Sequence, residues 1–288
     1  MRGTFPTALF RLVLAIFLVA AATTITRAQS PYSTGADFAK YAMKLRENAL
    51  LKIEPQVMVP TSSRPGLFGG RFPWKANIVT TIFWVGEHPT QNNPVPNNKS
   101  SWDPQWQQTF GGFDNPEPSA RRNYLPAAFT PRENPFYVAL PYNDVTHSAT
   151  KPEAPLVIPW FKEAYQKFGQ SVCRNRWLAI RNRSGKVCYA QWTDCGPFRT
   201  DHWQYVFGNE RPKPNLNQGA GLDISPAVRD YLGFTGTDVT DWKFVDFREV
   251  PPGPWSLYGE NNDFVLNARR SGTRVARGPG VSPTVVAH

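Results

Sequence analysis

Residues 188–198 read CYAQWTDCGPF. A strand-like run ends here in Thr193-Asp194-Cys195-Gly196-Pro197-Phe198. Asp, Gly and Pro are turn residues for steric reasons, so a plain turn accounts for part of the motif. It does not account for an acid and a thiol set together at the corner, next to a tryptophan. The second reading is that Asp194 is a chemical group held at the end of a strand.

Working outward, residues 176–194 read as a hairpin. Two apolar-rich strands flank Asn182-Arg183-Ser184-Gly185. Residues 221–233, GLDISPAVRDYLG, read as a strand end followed by a helix. Ser225 suits the N-cap, Pro226 the first helical position and Gly233 the C-cap, while Val228 and Leu232 share a face. Residues 76–87, 136–144 and 241–250 carry the β-branched and aromatic content of further strands, and 159–168 reads as a short helix. Between them, 87–135 is a long polar segment rich in Pro, Asn and Gln. It holds Trp102, Trp106, Phe110 and Phe113, either as satellite packing or as a sugar platform.

The ends of the chain set the compartment. An apolar run over 12–22 follows Arg2 and Arg11, and Thr26-Arg27-Ala28 places small residues where a signal peptidase reads. Residues 1–28 are therefore expected to be a secretory signal peptide, with an apolar run too short to span a bilayer. Residues 29–75 are expected to hold a helix over 36–52 and a Pro/Gly/Ser-rich connector. The body over 76–250, about 175 residues, is long enough for a full core. Residues 251–288 are expected to be a largely disordered tail.

Removing 1–28 takes away three arginines and leaves 29 basic against 22 acidic side chains, a formal +7. Four of those charges, Arg269, Arg270, Arg274 and Arg277, lie near the C-terminus, where they could rest on an acidic envelope polymer. No nucleic-acid-binding module is visible. Three cysteines in an exported chain suggest one disulfide and one free thiol. Of the three pairings, Cys173–Cys188 is expected, since it leaves the Asp194 corner free. On the chain-entropy view it would contribute about 3 kcal/mol. His88, His147 and His202 are scattered and there is no CxxC pair, so neither a metal site nor a cofactor is expected.

WTDCGPF followed by GLDISPAVRDYLG resembles the double-psi β-barrel family, which includes rare lipoprotein A, expansins, barwin-type proteins and some endoglucanases and lytic transglycosylases. Asp194, Gly196, Pro197 and Phe198 match one family motif; Asp223, Ile224, Ser225, Leu232 and Gly233 match the second. The likeness is good over 176–248 and looser over 76–145. It implies a mainly β fold: a six-stranded double-psi barrel with short inserted helices. It also implies that Asp194 and Asp223 line a groove.

Glycan cleavage needs an acid to protonate the leaving oxygen, and a hydrolase adds a second carboxylate. Asp223 is then the expected general acid and Asp194 the base or orienting group. Trp192, on the same strand face as Asp194 by period-2 counting, and Tyr189 are candidates for contact with sugar. The early histidine of rare lipoprotein A-like enzymes is missing from 136–144, and His147 is the nearest substitute. Cys195 stands where relatives often carry arginine. With His202 nearby it raises a thiol-nucleophile reading that lacks a third member.

The expected function is action on peptidoglycan or another polysaccharide by an exported, monomeric protein. It would work as a lytic transglycosylase or glycosidase, or as a non-catalytic expansin-like module or structural envelope protein.

Overall fold

The hairpin expected over 176–194 is present. The computed structural model describes residues 72–90, 93 and 95–272, together with Lys40 and Lys44. Six strands make up its barrel: β1 (Lys75–Ile82), β2 (Tyr137–Leu140), β3 (Trp177–Arg181), β4 (Val187–Cys195), β5 (Leu222–Ile224) and β6 (Asp238–Val245). β3 and β4 pair antiparallel from Trp177 opposite Gln191 to Arg181 opposite Val187. Their turn closes through the Asn182 amide, which donates to the Lys186 carbonyl at 3.0 Å. Gly185 turns the corner at φ 84°, the left-handed region that glycine adopts without a Cβ clash.

The six strands close in the order β1-β6-β3-β4-β2-β5. Two pairs are parallel, β1 with β5 and β2 with β4. The other four are antiparallel. Apart from the hairpin, neighbours in the barrel are distant in sequence, so the connections must cross over its ends.

Alternation along each strand builds the core. Val138, Leu140, Leu178, Ile180, Ala190, Trp192, Leu222, Ile224, Trp242 and Phe244 form one buried cluster. Fully burying a large apolar side chain contributes about 1.5–3 kcal/mol. One polar pair inside satisfies itself: the Thr80 and Thr240 hydroxyls, on neighbouring β1 and β6, meet at 2.8 Å.

The segment over 87–135, where described, is folded against the barrel wall. Its helix α1 (Trp106–Phe110) contributes to a second cluster with Phe83, Val85, Tyr137 and Ala139. Arg121 anchors it. The guanidinium pairs with buried Asp114 at 2.5 Å and with Asp230 at 2.9 Å, and donates to the Tyr124 carbonyl at 2.8 Å. Asp114 also accepts from the Tyr137 hydroxyl at 2.8 Å, which ties the segment to β2.

The tail expected from residue 251 differs in its first part. Trp255 is buried, its ring 6.0 Å from Phe136 and 5.1 Å from Tyr189. Asn262 is wholly buried; it caps the helix Asp263–Arg270 by accepting from the Phe264 amide and donates to the Trp255 and Tyr258 carbonyls. Aromatic anchors and a polar cap thus order a stretch whose Pro and Gly content reads as loop. The expected signal peptide, the connector up to residue 71 and residues 273–288 lie outside the described residues. So does the N-terminal helix, apart from Lys40 and Lys44, which are helical and exposed. Among the described residues no helix is long and apolar enough to cross a membrane.

The helix α2 (Pro226–Leu232) begins and ends as its sequence dictates. Ser225 Oγ accepts from the Val228 amide, and Gly233 closes the end at φ 81°. Ser225 does more than cap: its hydroxyl donates to the Pro135 carbonyl at 2.8 Å and accepts from the Tyr137 amide at 3.3 Å. All three partners are buried with it. Ser225→Ala should therefore destabilise the fold by about 2 kcal/mol, at the upper end of a lost cap. Urea unfolding with an unchanged m-value would show this, and a loss within experimental error of zero would refute it.

Candidate functional site

Asp194 is the penultimate residue of β4 and Asp223 is the middle residue of β5. One residue of β2, Ala139, is the register partner of both. Thr81 of β1 is the partner of Asp223 on its other side. Asp194, Ala139, Asp223 and Thr81 therefore form one row across four strands, and register partners project to the same face. With strands roughly 4.8 Å apart, the two acids are separated by about two strand spacings, bridged only by a methyl group.

The register of β4 explains how Asp194 reaches this face. Trp192 pairs with Val138 and Asp194 with Ala139, so Thr193 is an extra, bulged residue. A bulge shifts the side-chain alternation by one. Trp192 and Asp194 consequently point to opposite faces, which corrects the same-face expectation from period-2 counting. Trp192 lies wholly in the barrel core, and its indole N–H donates to the Asp194 carbonyl at 2.7 Å. It fixes the corner and presents no ring to a ligand.

Gly196 completes the geometry. A Cβ there would stand 3.3 Å from Asp223 Oδ2 and 3.8 Å from the Ala139 Cβ. The glycine thus lets the chain after Asp194 pass directly over the gap between the acids.

Burial sets the protonation behaviour. Loss of solvent raises Asp194 to about 6, against hydrogen bonds that favour its charged form, chiefly from the Ser101 amide at 2.7 Å. Asp223 is raised further, to about 7. Loss of solvent again dominates; the Thr81 hydroxyl, which donates to Oδ1, opposes it, and the like charges of Glu87 and Asp194 add to it. Asp194 is 9% exposed, whereas Asp223 is only half-buried and is the more accessible of the pair.

Glu87 is a third acid that the sequence reading did not single out. It is buried, raised to about 7 by loss of solvent, and its Oε2 accepts from Asn97 at 2.8 Å and Asn93 at 3.1 Å. In sequence it ends an apolar run that reads as strand; its only signal is an acid directly after Gly86. Among the described residues no group of three or more His, Cys, Asp or Glu side chains is arranged to hold a metal ion.

The remaining candidates lie elsewhere. Tyr189 is five residues before Asp194 on β4, roughly 16 Å away along the strand, and packs on Trp255. His147 is exposed in a tight turn at φ 50°. It lines a cleft of about 990 Å³ that is also lined by Ser101, Trp102, Asn143 and Arg174 but not by either aspartate. The link between cleft and acids is Ser101, which lines the one and donates to Asp194. Trp106 is buried, with its indole N–H on Glu133 at 3.0 Å, so of Trp102, Trp106 and Trp192 only Trp102 keeps exposed surface.

All three cysteines are free, which corrects the expected Cys173–Cys188 bridge. The Asn175 amide donates to the Trp192 carbonyl, so Cys173 lies beyond the level of Trp192. Cys188 is four residues, about 13 Å, back along β4, outside the reach of a disulfide. The thiol-nucleophile reading also finds no support. Burial, with the Asp194 charge adding to it, pushes the Cys195 thiol far up, and His202 is buried against Glu210 at 2.9 Å.

No protein-family model matches the sequence, and a search of curated proteins returns no significant match.

The raised acids carry a stability consequence. Asp194, Asp223 and Glu87 hold their protons to a higher pH in the folded chain than in the unfolded one. Their contribution is most favourable below about pH 4 and is lost as pH rises through about 6 to 7. The melting temperature should therefore fall between about pH 5 and about pH 8. Asp223→Asn should flatten that fall and melt higher than wild type at about pH 8. A variant melting at or below wild type there would show that Asp223 is not a protonated, desolvated acid.

Proposed function

We propose that the protein acts on a polysaccharide through the paired acids Asp194 and Asp223. One observation carries the reading: two carboxyl groups share the row through Ala139, and their pKa values straddle the range between about 6 and about 7. Paired acids whose environments separate their pKa values are suited to opposite roles. Asp223, the higher and more exposed, is the general acid. It passes its proton to the glycosidic oxygen as the bond to the anomeric carbon breaks. Asp194, the lower, is the base. It takes the proton from the attacking hydroxyl, of water in hydrolysis or of the sugar itself in a lytic reaction. Asp223 is then left ionised and Asp194 protonated, and exchange with solvent restores both.

The double-psi barrel reading belongs to the same proposal. It is supported by the motifs at 192–198 and 221–233 and by a closed six-stranded barrel with two parallel pairs among antiparallel ones. Peptidoglycan is the substrate that this resemblance and the exported, monomeric character read from the sequence favour.

A second reading, a wall-binding module without catalysis, is favoured by the burial of Asp194 under the Ser101 amide. In that case Asp194 stabilises the fold of the 87–135 segment.

Release of reducing or anhydro ends from purified peptidoglycan, analysed by mass spectrometry, separates the readings. Wild type should be most active between about pH 6 and about pH 7 and fall off on both sides. Asp223→Asn should lose about 10²–10⁴-fold, with wall binding intact. Asp194→Asn should also lose activity, and the double variant should lose less than the product of the two, because both groups serve one transition state. Wild-type cleavage by the double variant would rule the acids out. Binding without any cleavage by wild type would leave the second reading standing.

A further inference from the structure

The cleft of about 990 Å³ beside the acid row combines three kinds of surface. The first is aromatic. Trp102 is partly exposed, and its orientation is fixed: its ring packs edge-on against Trp192 at 5.5 Å, and its indole N–H donates to Asn143 Oδ1 at 2.8 Å. A ring held in place on one side and open on the other is a platform for an apolar sugar face. The second is uncharged and polar, a lining of serine, threonine, asparagine and glutamine side chains with the two-way hydrogen-bonding capacity that hydroxyl-rich ligands require. The third is cationic. Lys99 and Lys167 line the cleft, both are exposed, and neither ammonium group has a hydrogen-bond or ion-pair partner among the described residues.

Arg174 also lines the cleft, but its charge is answered. It pairs with Asp103 and Glu133, each at 3.2 Å. Asp103 is the one acidic side chain in the lining, and it is held in that pair. Lys99, Lys167 and Arg174 thus stand against Asp103 and Glu133, which leaves the cleft with a net positive charge carried by the two exposed lysines. A neutral glycan would leave both ammonium groups unused; a glycan with carboxylates along its chain would engage them.

We propose that this cleft binds an acidic polysaccharide, with Trp102 stacking on a sugar ring and Lys99 and Lys167 meeting its carboxylates. The inference rests on the polysaccharide reading above and narrows its substrate class. It also gives the Ser101 amide a second role. Ser101 lines the cleft and donates to Asp194 Oδ1, so a chain seated in the cleft lies one residue from the acid row.

The test uses polygalacturonate and its fully methyl-esterified form, which share a backbone and differ in charge, with polyglutamate as a polyanion lacking sugar. Affinities are measured by calorimetry on Asp223→Asn, so that turnover does not interfere, and on the same protein carrying Lys99→Gln and Lys167→Gln. The expected result is binding of polygalacturonate at least about tenfold tighter than of either control, with that preference lost in the lysine variant. Equal affinity for the ester, equal affinity for polyglutamate, no binding of polygalacturonate, or an unchanged preference in the lysine variant would each overturn the inference. Cleavage of a neutral glycan without acid-selective binding would leave the catalytic reading standing and this one refuted. Acid-selective binding with no cleavage of any glycan would do the reverse.

Discussion

The barrel closes through β2. These four residues are buried along their whole length and pair with β4 in parallel on one side and with β5 antiparallel on the other. No other strand could set Asp194 and Asp223 on either side of one small residue. The ladder dictates their spacing, and the alanine methyl leaves the space between them unfilled. A larger side chain at 139 would occupy that space and displace either the acids or the Phe83 and Trp106 rings of the same cluster. The position of the acids is thus a property of the sheet rather than of a loop, which is the kind of support a reactive site requires.

The second constraint is dielectric. Where described, the segment over 87–135 roofs the outer face of β2 with the rings of Trp106, Phe110 and Phe129. The Ser101 amide serves Asp194, and Asn93 and Asn97 serve Glu87. In such surroundings an ionised carboxylate loses more hydration than it recovers, so the acids hold their protons towards neutral pH. The segment is in turn held by Arg121, whose pairing with wholly buried Asp114 also orders Tyr137. Losing the Arg121 guanidinium would leave Asp114 buried and unpaired, so the roof and the site stand or fall together.

Much of the fold was legible in the sequence wherever local chemistry decides it. The 176–194 hairpin follows from its apolar runs and its turn, and α2 from Ser225, Pro226 and Gly233. Both acid positions were visible as polar residues where strands end. What was illegible depends on contacts distant in sequence. The bulge at Thr193 is a matter of register with β2, so counting by twos along β4 alone placed Trp192 on the wrong face. The order of 251–270 depends on Trp255 finding Phe136 and Tyr189, more than 60 residues upstream. Glu87 looked like the end of a strand because nothing in its neighbours announces the burial that makes it an acid of interest. The cysteine pairing failed for a geometric reason that sequence distance conceals: residues 15 apart in a hairpin can lie at opposite ends of its ladder.

Asp194 and Asp223 are neighbouring acids whose protons are held towards neutrality, Asp223 the more strongly. Carboxyl ¹³C chemical shifts followed by NMR across pH measure this directly. Asp194 should titrate near 6 and Asp223 near 7, and the Asp223 midpoint should fall when Asp194 is replaced by Asn, because one of the charges that raises it is gone. An Asp223 midpoint near the ordinary aspartate value of about 4, unmoved by that replacement, would contradict the account.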